Sequence, residues 1–161
     1  NDMVLVSIGS IECHGRHMPL GTDTLIPEHL LEKIEQKSDV LIAPTIPYGA
    51  CQSLAPYPGT IDIDSEVLYQ FCRQIFLSLY RHGARKFVFL NGTAENDGFR
   101  SVEYKGVSVD ILRSTPHVTD SGWIGPDHPS TATEEWGREM LETTASYIAD
   151  FMEEFKKVTL S

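Results

Sequence analysis

The sequence predicts an α/β domain built around a mainly parallel sheet. Short apolar runs alternate along the chain with segments of helical period. Most of these runs are apolar at successive positions rather than at every second one, the pattern of strands covered on both faces. The 161 residues, with 41% hydrophobic and 22% charged content, suffice for one domain with a core of its own.

The first strand is read at Val4-Leu5-Val6-Ser7-Ile8. A helix follows from about Thr24 to Lys37, with Pro27 in its first turn and Leu30, Leu31 and Ile34 facing inward. Val40-Leu41-Ile42-Ala43 is the next strand. After it comes a helix with Asp64 or Ser65 as N-cap and an inner face of Leu68, Phe71, Cys72, Ile75 and Leu79. Gly83 ends that helix, because a residue without Cβ accepts the left-handed C-cap. Lys86-Phe87-Val88-Phe89-Leu90 and Val107-Ser108-Val109-Asp110-Ile111-Leu112 read as further strands. The last helix spans about Thr133 to Lys157, and its period assigns Trp136, Met140, Thr144, Tyr147, Ile148, Phe151 and Phe155 to the core. No repeat or linker interrupts residues 1–161, so a single domain is expected; Asn1-Asp2 leads into the first strand so quickly that the natural start is expected further upstream.

A net charge of −10 argues against a nucleic-acid partner, which would require clustered Lys and Arg. The three cysteines, Cys13, Cys51 and Cys72, are scattered and form no CxxC, which fits a reducing compartment and a cytoplasmic protein. No apolar run approaches the roughly 20 residues of a membrane span, so no membrane partner is expected, and no signal peptide is visible.

In parallel sheets, sites form in the crevice at the carboxyl ends of the strands. That rule selects the stretch "IECHGRHMPLGTD" at 11–23, the loop Pro44–Gly49, and the loop Asn91–Asn96. Residues two apart in extended chain project to one side, so Glu12 and His14 can meet at one cation. Asp23 stands where the chain enters the first helix and supplies a third ligand, and Glu95 a fourth. Imidazole with carboxylates suits Zn²⁺, Mn²⁺ or Fe²⁺. On spacing alone, a loop of this composition is more often a solvated, hydrogen-bonded turn than a ligand set. His17 and His29 read as surface or packing histidines, and Cys13 as a small buried hydrophobe if it points away from the ligands. The segment 48–58, "YGACQSLAPYP", either lines a pocket mouth, with Tyr48 and Ser53 touching a small-molecule substrate, or merely packs. Gly59 and Thr60 read as a turn before a strand-like "IDID", and Gly92 as a sharp turn off a strand end. Asn91 and Asn96 either orient a ligand or cap turns, and Trp123 reads as a packing residue.

The blocks "GSIECHGRHMPLGTD" at 9–23, "PTIPYG" at 44–49, "PGTIDID" at 58–64, "RHGARKFVFLNG" at 81–92 and "ATEEWGREML" at 132–141 resemble the creatininase (creatinine amidohydrolase) family, the first four in matching order and spacing. The resemblance implies a three-layer α/β/α sandwich and assembly as a homohexamer. It implies hydrolysis of a C–N bond in a small cyclic amide, formamide or related substrate. Two divalent metals would supply the activated water that acts as nucleophile. Carried onto this chain, Asp23 would bridge the metals, His14 and Glu95 would complete one site, and Glu12 would belong to the other. Glu95 is also the expected catalytic residue.

Two departures stand out. Thr93 occupies the place of a family histidine, which weakens the Glu12–Asp23–Thr93 site and leaves one or two metals per chain. The family's N-terminal helix and a segment after Phe99 that carries a catalytic histidine have no counterpart in residues 1–161. Either the protein is naturally short or this sequence leaves those residues out; neither His117 nor His128 lies in a matching motif. Three functions follow: a metal-dependent amidohydrolase, an impaired relative serving as a binding or structural subunit, or a sugar-ring hydrolase using the same metal site.

Overall fold

The structure is a computed structural model that describes residues 2–93, the backbone of two strands at 100–104 and 107–111, and residues 129–159. Glu95, Asn96, Phe99, His117, Trp123 and His128 lie outside the described residues. Among the described residues the main sheet has three parallel strands, β1 (Met3–Ile8), β2 (Leu41–Ile42) and β3 (Lys86–Asn91), in the order β2-β1-β3. Register runs Val4 to Leu41 on one side of β1 and Val4 to Phe87 on the other. The alternation of side chains along β1 divides the core in two. Met3 and Leu5 pack with Leu30, Leu31 and Ile34 of α1 (Thr22–Glu35) and with Ala145 and Met152 of α3 (Glu134–Lys156). Val4 and Val6 face the other way, onto Leu68, Cys72, Ile75 and Leu79 of α2 (Ser65–Arg81). Two helices on one face and one on the other give the three layers.

Helix boundaries follow local chemistry. The Asp64 carboxylate accepts from the N–H groups of Glu66 and Val67 and so caps α2. At the other end Gly83 has φ +106, and Ala84 N–H reaches Leu79 O while Gly83 N–H reaches Tyr80 O, the paired bonds of a Schellman end. Thr133 caps α3 through Trp136 N–H. The first helix begins two residues earlier than its pattern suggests, because Thr22 bonds back to Pro19 O through both N–H and hydroxyl. Pro27 is therefore in the second turn and withholds the N–H that would bond to Asp23 O.

Four expectations need correction. The inner face of α3 is Leu141, Ala145, Ile148, Ala149, Met152 and Phe155, whereas Trp136, Met140, Tyr147 and Phe151 are exposed, Tyr147 by 75%. On α2, Phe71 is likewise exposed. The fourth expected strand, here β5 (Val107–Ile111), does not join the parallel sheet. It forms an antiparallel pair with β4 (Arg100–Tyr104), a strand too poor in apolar residues to be read from sequence. The "IDID" segment is unpaired extended chain, with Ile61 N–H on Ile11 O and Ile63 N–H on Gly49 O. Cys13, Cys51 and Cys72 form no disulfide among the described residues. Among the described residues, no helix is long and apolar enough to cross a membrane.

Candidate metal centre

The loops after β1 and β2 and, as far as Thr93, the loop after β3 do converge at the ends of those strands. Gly9 N–H bonds Ile46 O, and Gly92 N–H bonds Ile8 O. Both glycines press against the first turns of α1. A Cβ on Gly9 would lie 2.6 Å from Asp23 O, and one on Gly92 would lie 2.2 Å from the same atom and 2.3 Å from Pro27 Cγ. Gly92 is thus required by close approach of a helix rather than by a sharp turn. This packing sets the Asp23 carboxylate beside the strand ends.

From Glu12 to Leu20 the chain makes a closed loop, with Glu12 N–H on Leu20 O and Gly15 at φ +76. Cys13 N–H donates to Thr60 Oγ1, so the segment after Gly59 braces that loop. Glu12, His14 and Asp23 each bring one ligand atom to a common place, all within 4.8 Å of one another. Glu12 is 4% exposed, and among the described residues its Oε2 has no hydrogen-bond partner. His14 Nδ1–H donates to Glu12 O at 3.1 Å, and Nε2 lies 2.9 Å from Asp23 Oδ1. The other oxygen of Asp23 is taken by hydroxyls: Thr93 Oγ1 donates to Oδ2 at 2.8 Å, Ser10 Oγ lies 3.2 Å from it, and the two hydroxyls are 2.5 Å apart.

The electrostatics follow from burial and these contacts. Burial raises the Glu12 carboxyl above its usual value; a Cys51 hydrogen bond opposes the rise and the Asp23 charge adds to it. Burial pushes Asp23 up as well, but hydrogen bonds from His14 and Thr93 outweigh it and hold Asp23 low. The Asp23 hydrogen bond raises the His14 imidazole against the opposing effect of burial.

The donor set fits a divalent cation. Two buried carboxylates repel one another, one carboxylate oxygen is buried without a donor, and an imidazole with Nδ1 fixed on a carbonyl can turn Nε2 to a metal. Of the expected site residues, the fold therefore brings Glu12, His14 and Asp23 together. Tyr48 instead lines an apolar cleft of about 450 Å³ with Val6, Ile63, Val67, Leu68 and Phe71, and none of the three clustered residues borders it. Ser53 is half-buried in the turn that follows Cys51. Asn91 Oδ1 accepts from Thr93 N–H, which caps the turn. His17 and His29 are exposed, and His29 pairs with Glu32. Sequence reasoning missed Ser10 and Cys51. The period-two rule that pairs Glu12 with His14 also includes Ser10 and could have found it; nothing local marks Cys51.

Fold and site together define an α/β protein with a buried carboxylate–imidazole cluster at the carboxyl ends of parallel strands. The creatininase family profile, described as creatinine amidohydrolase, matches residues 1–103, and the chain belongs to that family. Creatinine amidohydrolase of Pseudomonas putida is 29% identical over 144 residues, covering 79% of this chain and 55% of the relative. A mycofactocin precursor peptide peptidase of Mycolicibacterium smegmatis is 33% identical over 132 residues, covering 76% and 49%. A 3-dehydro-scyllo-inosose hydrolase of Thermotoga maritima is 29% identical over 96 residues, covering 56% and 30%. The chain thus spans about half the length, or less, of these curated relatives. Among solved structures, a mutant creatininase complexed with creatine superposes with TM-score 0.77 at 19% identity, over 97% of this chain and 92% of that one, a likeness of fold. A manganese creatininase is 32% identical with TM-score 0.53, over 57% of this chain and 38% of that one.

Proposed function

We propose that this chain is a metal-dependent hydrolase of a C–N bond in a small cyclic amide, formamide or related substrate. The observation that carries this reading is the buried Glu12 carboxylate, its Oε2 unpartnered and within reach of Asp23 and His14. Glu12, His14 and Asp23 are the proposed ligands, with Glu95 as a further ligand and catalytic residue. A bound Zn²⁺, Mn²⁺ or Fe²⁺ would polarise the scissile carbonyl and make water a nucleophile at neutral pH. The residues themselves do the rest: Asp23 stays ionised through its hydrogen bonds, and His14 is held in one orientation by Glu12 O. Tyr48 and Ser53 remain proposed substrate contacts from the loop after β2. Assembly as a homo-oligomer, a hexamer by family resemblance, and action as a single cytoplasmic domain belong to the same reading.

A second reading is a family member with impaired catalysis, serving as a binding or structural subunit. It is favoured by the two hydroxyls on Asp23 Oδ2, which occupy the oxygen a second cation would need. The test is hydrolysis by the chelator-stripped chain, reloaded with Mn²⁺ or Zn²⁺, on creatinine, a formamide, a short peptide amide and a cyclic keto-sugar. Metal-dependent release of product from an amide, lost in Glu12→Gln, supports the first reading. Metal uptake with no turnover supports the second, and turnover of the keto-sugar alone would assign a sugar-ring hydrolase.

A further inference from the structure

Ser10 stands where the loop after β1 meets the first turn of α1. It is 0% exposed, and both of its polar ends reach that turn. Its hydroxyl donates to Asp23 Oδ2 at 3.2 Å, and its carbonyl accepts from the Thr24 hydroxyl at 3.1 Å. The same Thr24 oxygen lies 3.3 Å from Pro47 O, so the loop after β2 is tied to the same point. Thr93 Oγ1, from the loop after β3, lies 2.5 Å from Ser10 Oγ. The backbone around Ser10 is close-set as well. A Cβ on Gly49 would meet Gly9 O at 2.8 Å and Ser10 Cβ at 3.5 Å. The main chain therefore fixes where the Ser10 hydroxyl falls, and the side chain has a single torsion left to settle.

That hydroxyl acts on a carboxylate of the cluster. Asp23 presents Oδ1 to His14 Nε2 at 2.9 Å and Oδ2 to the hydroxyls of Ser10 and Thr93. A carboxylate held at one oxygen cannot rotate without breaking those contacts, so Oδ1 stays on the His14 side. The choice of donor matters. A lysine or arginine in that place would hold Asp23 as firmly, but its positive charge would compete with any cation. A serine hydroxyl is an uncharged donor that orients the carboxylate without neutralising it.

We propose that Ser10 is a positioning residue for the candidate metal centre, its hydroxyl holding Asp23 Oδ2 so that Oδ1 stays turned to the place shared with His14 and Glu12. The proposal rests on the reading that these three residues bind a divalent ion. Groups that orient a ligand in this way change metal affinity by roughly 10- to 100-fold when removed.

Ser7 supplies the control. It is also 0% exposed, and its hydroxyl donates to Thr45 Oγ1 at 2.7 Å rather than to a residue of the cluster. The experiment is calorimetric titration of Mn²⁺, and separately Zn²⁺, into the chelator-stripped full chain, for the wild type, Ser10→Ala and Ser7→Ala. Urea denaturation of each variant reports the packing. Ser10→Thr and Ser10→Val, which differ in shape little beyond the hydroxyl, repeat the comparison if the alanine variant fails to fold. The expected result is a loss of about 10-fold or more in affinity for Ser10→Ala, with Ser7→Ala within about threefold of wild type at a similar cost in stability. Wild-type affinity in Ser10→Ala would overturn the proposal. Equal losses in the two alanine variants would overturn it too, because the effect would then pass through packing alone. So would a second bound ion in Ser10→Ala, since the hydroxyl would then obstruct a cation rather than orient its ligand. If the wild type takes up neither ion, the metal reading itself fails and the proposal falls with it.

Discussion

Thr93 Oγ1 donates to Asp23 Oδ2 across 2.8 Å, joining the loop after β3 to the first turn of α1 at the one carboxylate that both edges of the candidate centre share. A bridging carboxylate serves two cations by offering one oxygen to each. Here Oδ1 faces His14 and Oδ2 faces the hydroxyls of Thr93 and Ser10. A neutral hydroxyl is a much poorer ligand for a divalent ion than imidazole or carboxylate. The chain is therefore expected to hold one divalent ion or fewer per chain after loading, measured by elemental analysis. Thr93→His is expected to raise the content toward two. Two tightly held ions in the wild type would contradict this account of Thr93.

The His14–Asp23 pair makes the metal-free protein sensitive to pH. Hydrogen bonding to Asp23 outweighs burial and raises the His14 imidazole above its ordinary 6.5. A raised folded-state value adds stability that is complete below the unfolded-state value and disappears as pH rises through the folded-state value. The pair's contribution should therefore be full at acid pH and fade above 6.5 as the imidazole loses its proton. The measurement is the melting temperature in chelator from roughly pH 5.5 to 9, a range in which histidine titrates, for the wild type and His14→Gln. The gap between the two curves should narrow toward high pH; a gap that stays constant or widens would remove the charged pair as its cause.

Gly92 lies against Asp23 O and the Pro27 ring with no room for a methyl group. Since the nearest atom is backbone, Gly92→Ala must push α1 away from the strand end or distort the loop. Overpacking of this kind costs about 1–3 kcal/mol. The variant should show that loss in urea denaturation and should also bind metal more weakly, because the displaced turn carries Asp23. Unchanged metal affinity with lowered stability would mean that the strain is absorbed elsewhere.

Where the sequence was legible, the physics was local. The apolar run of β1, the Asp64 cap and the Gly83 terminus each depend on residues next to one another, and each is found as read. The same holds for Glu12, His14 and Asp23, whose meeting depends on one strand end and one helix start. The burial of Cys51 was not legible, because its loop is held by Asp62 and by the approach of Gly49 to Gly9, contacts distant in sequence. Tyr48 lines the apolar cleft beside α2, a placement that no local pattern in its own loop indicates. The antiparallel pairing of β5 depended on a partner, β4, with too little apolar character to stand out.

The α3 helix shows a different limit, and one that can be tested. Two stripes on this helix satisfy a 3.6-residue period, one rich in large side chains and one containing Ala145 and Ala149. Size favoured the first, but small residues let a helix approach its neighbour closely, and it is the second stripe that meets α1 and β1. Ion pairs along the border, Lys33 with Glu142 at 3.0 Å and Lys37 with the same carboxylate, accompany that rotation. Met152 is fully buried on the inner stripe, so Met152→Ala should cost about 2–5 kcal/mol in urea denaturation. Tyr147 is on the outer stripe, and Tyr147→Ala should change the stability of the isolated chain by no more than about 0.5 kcal/mol. The reverse order of costs would mean that α3 sits rotated from the orientation described. Equal and large costs would mean that the outer stripe is covered in solution, and a concentration-dependent transition in the wild type would then identify a second chain as the cover.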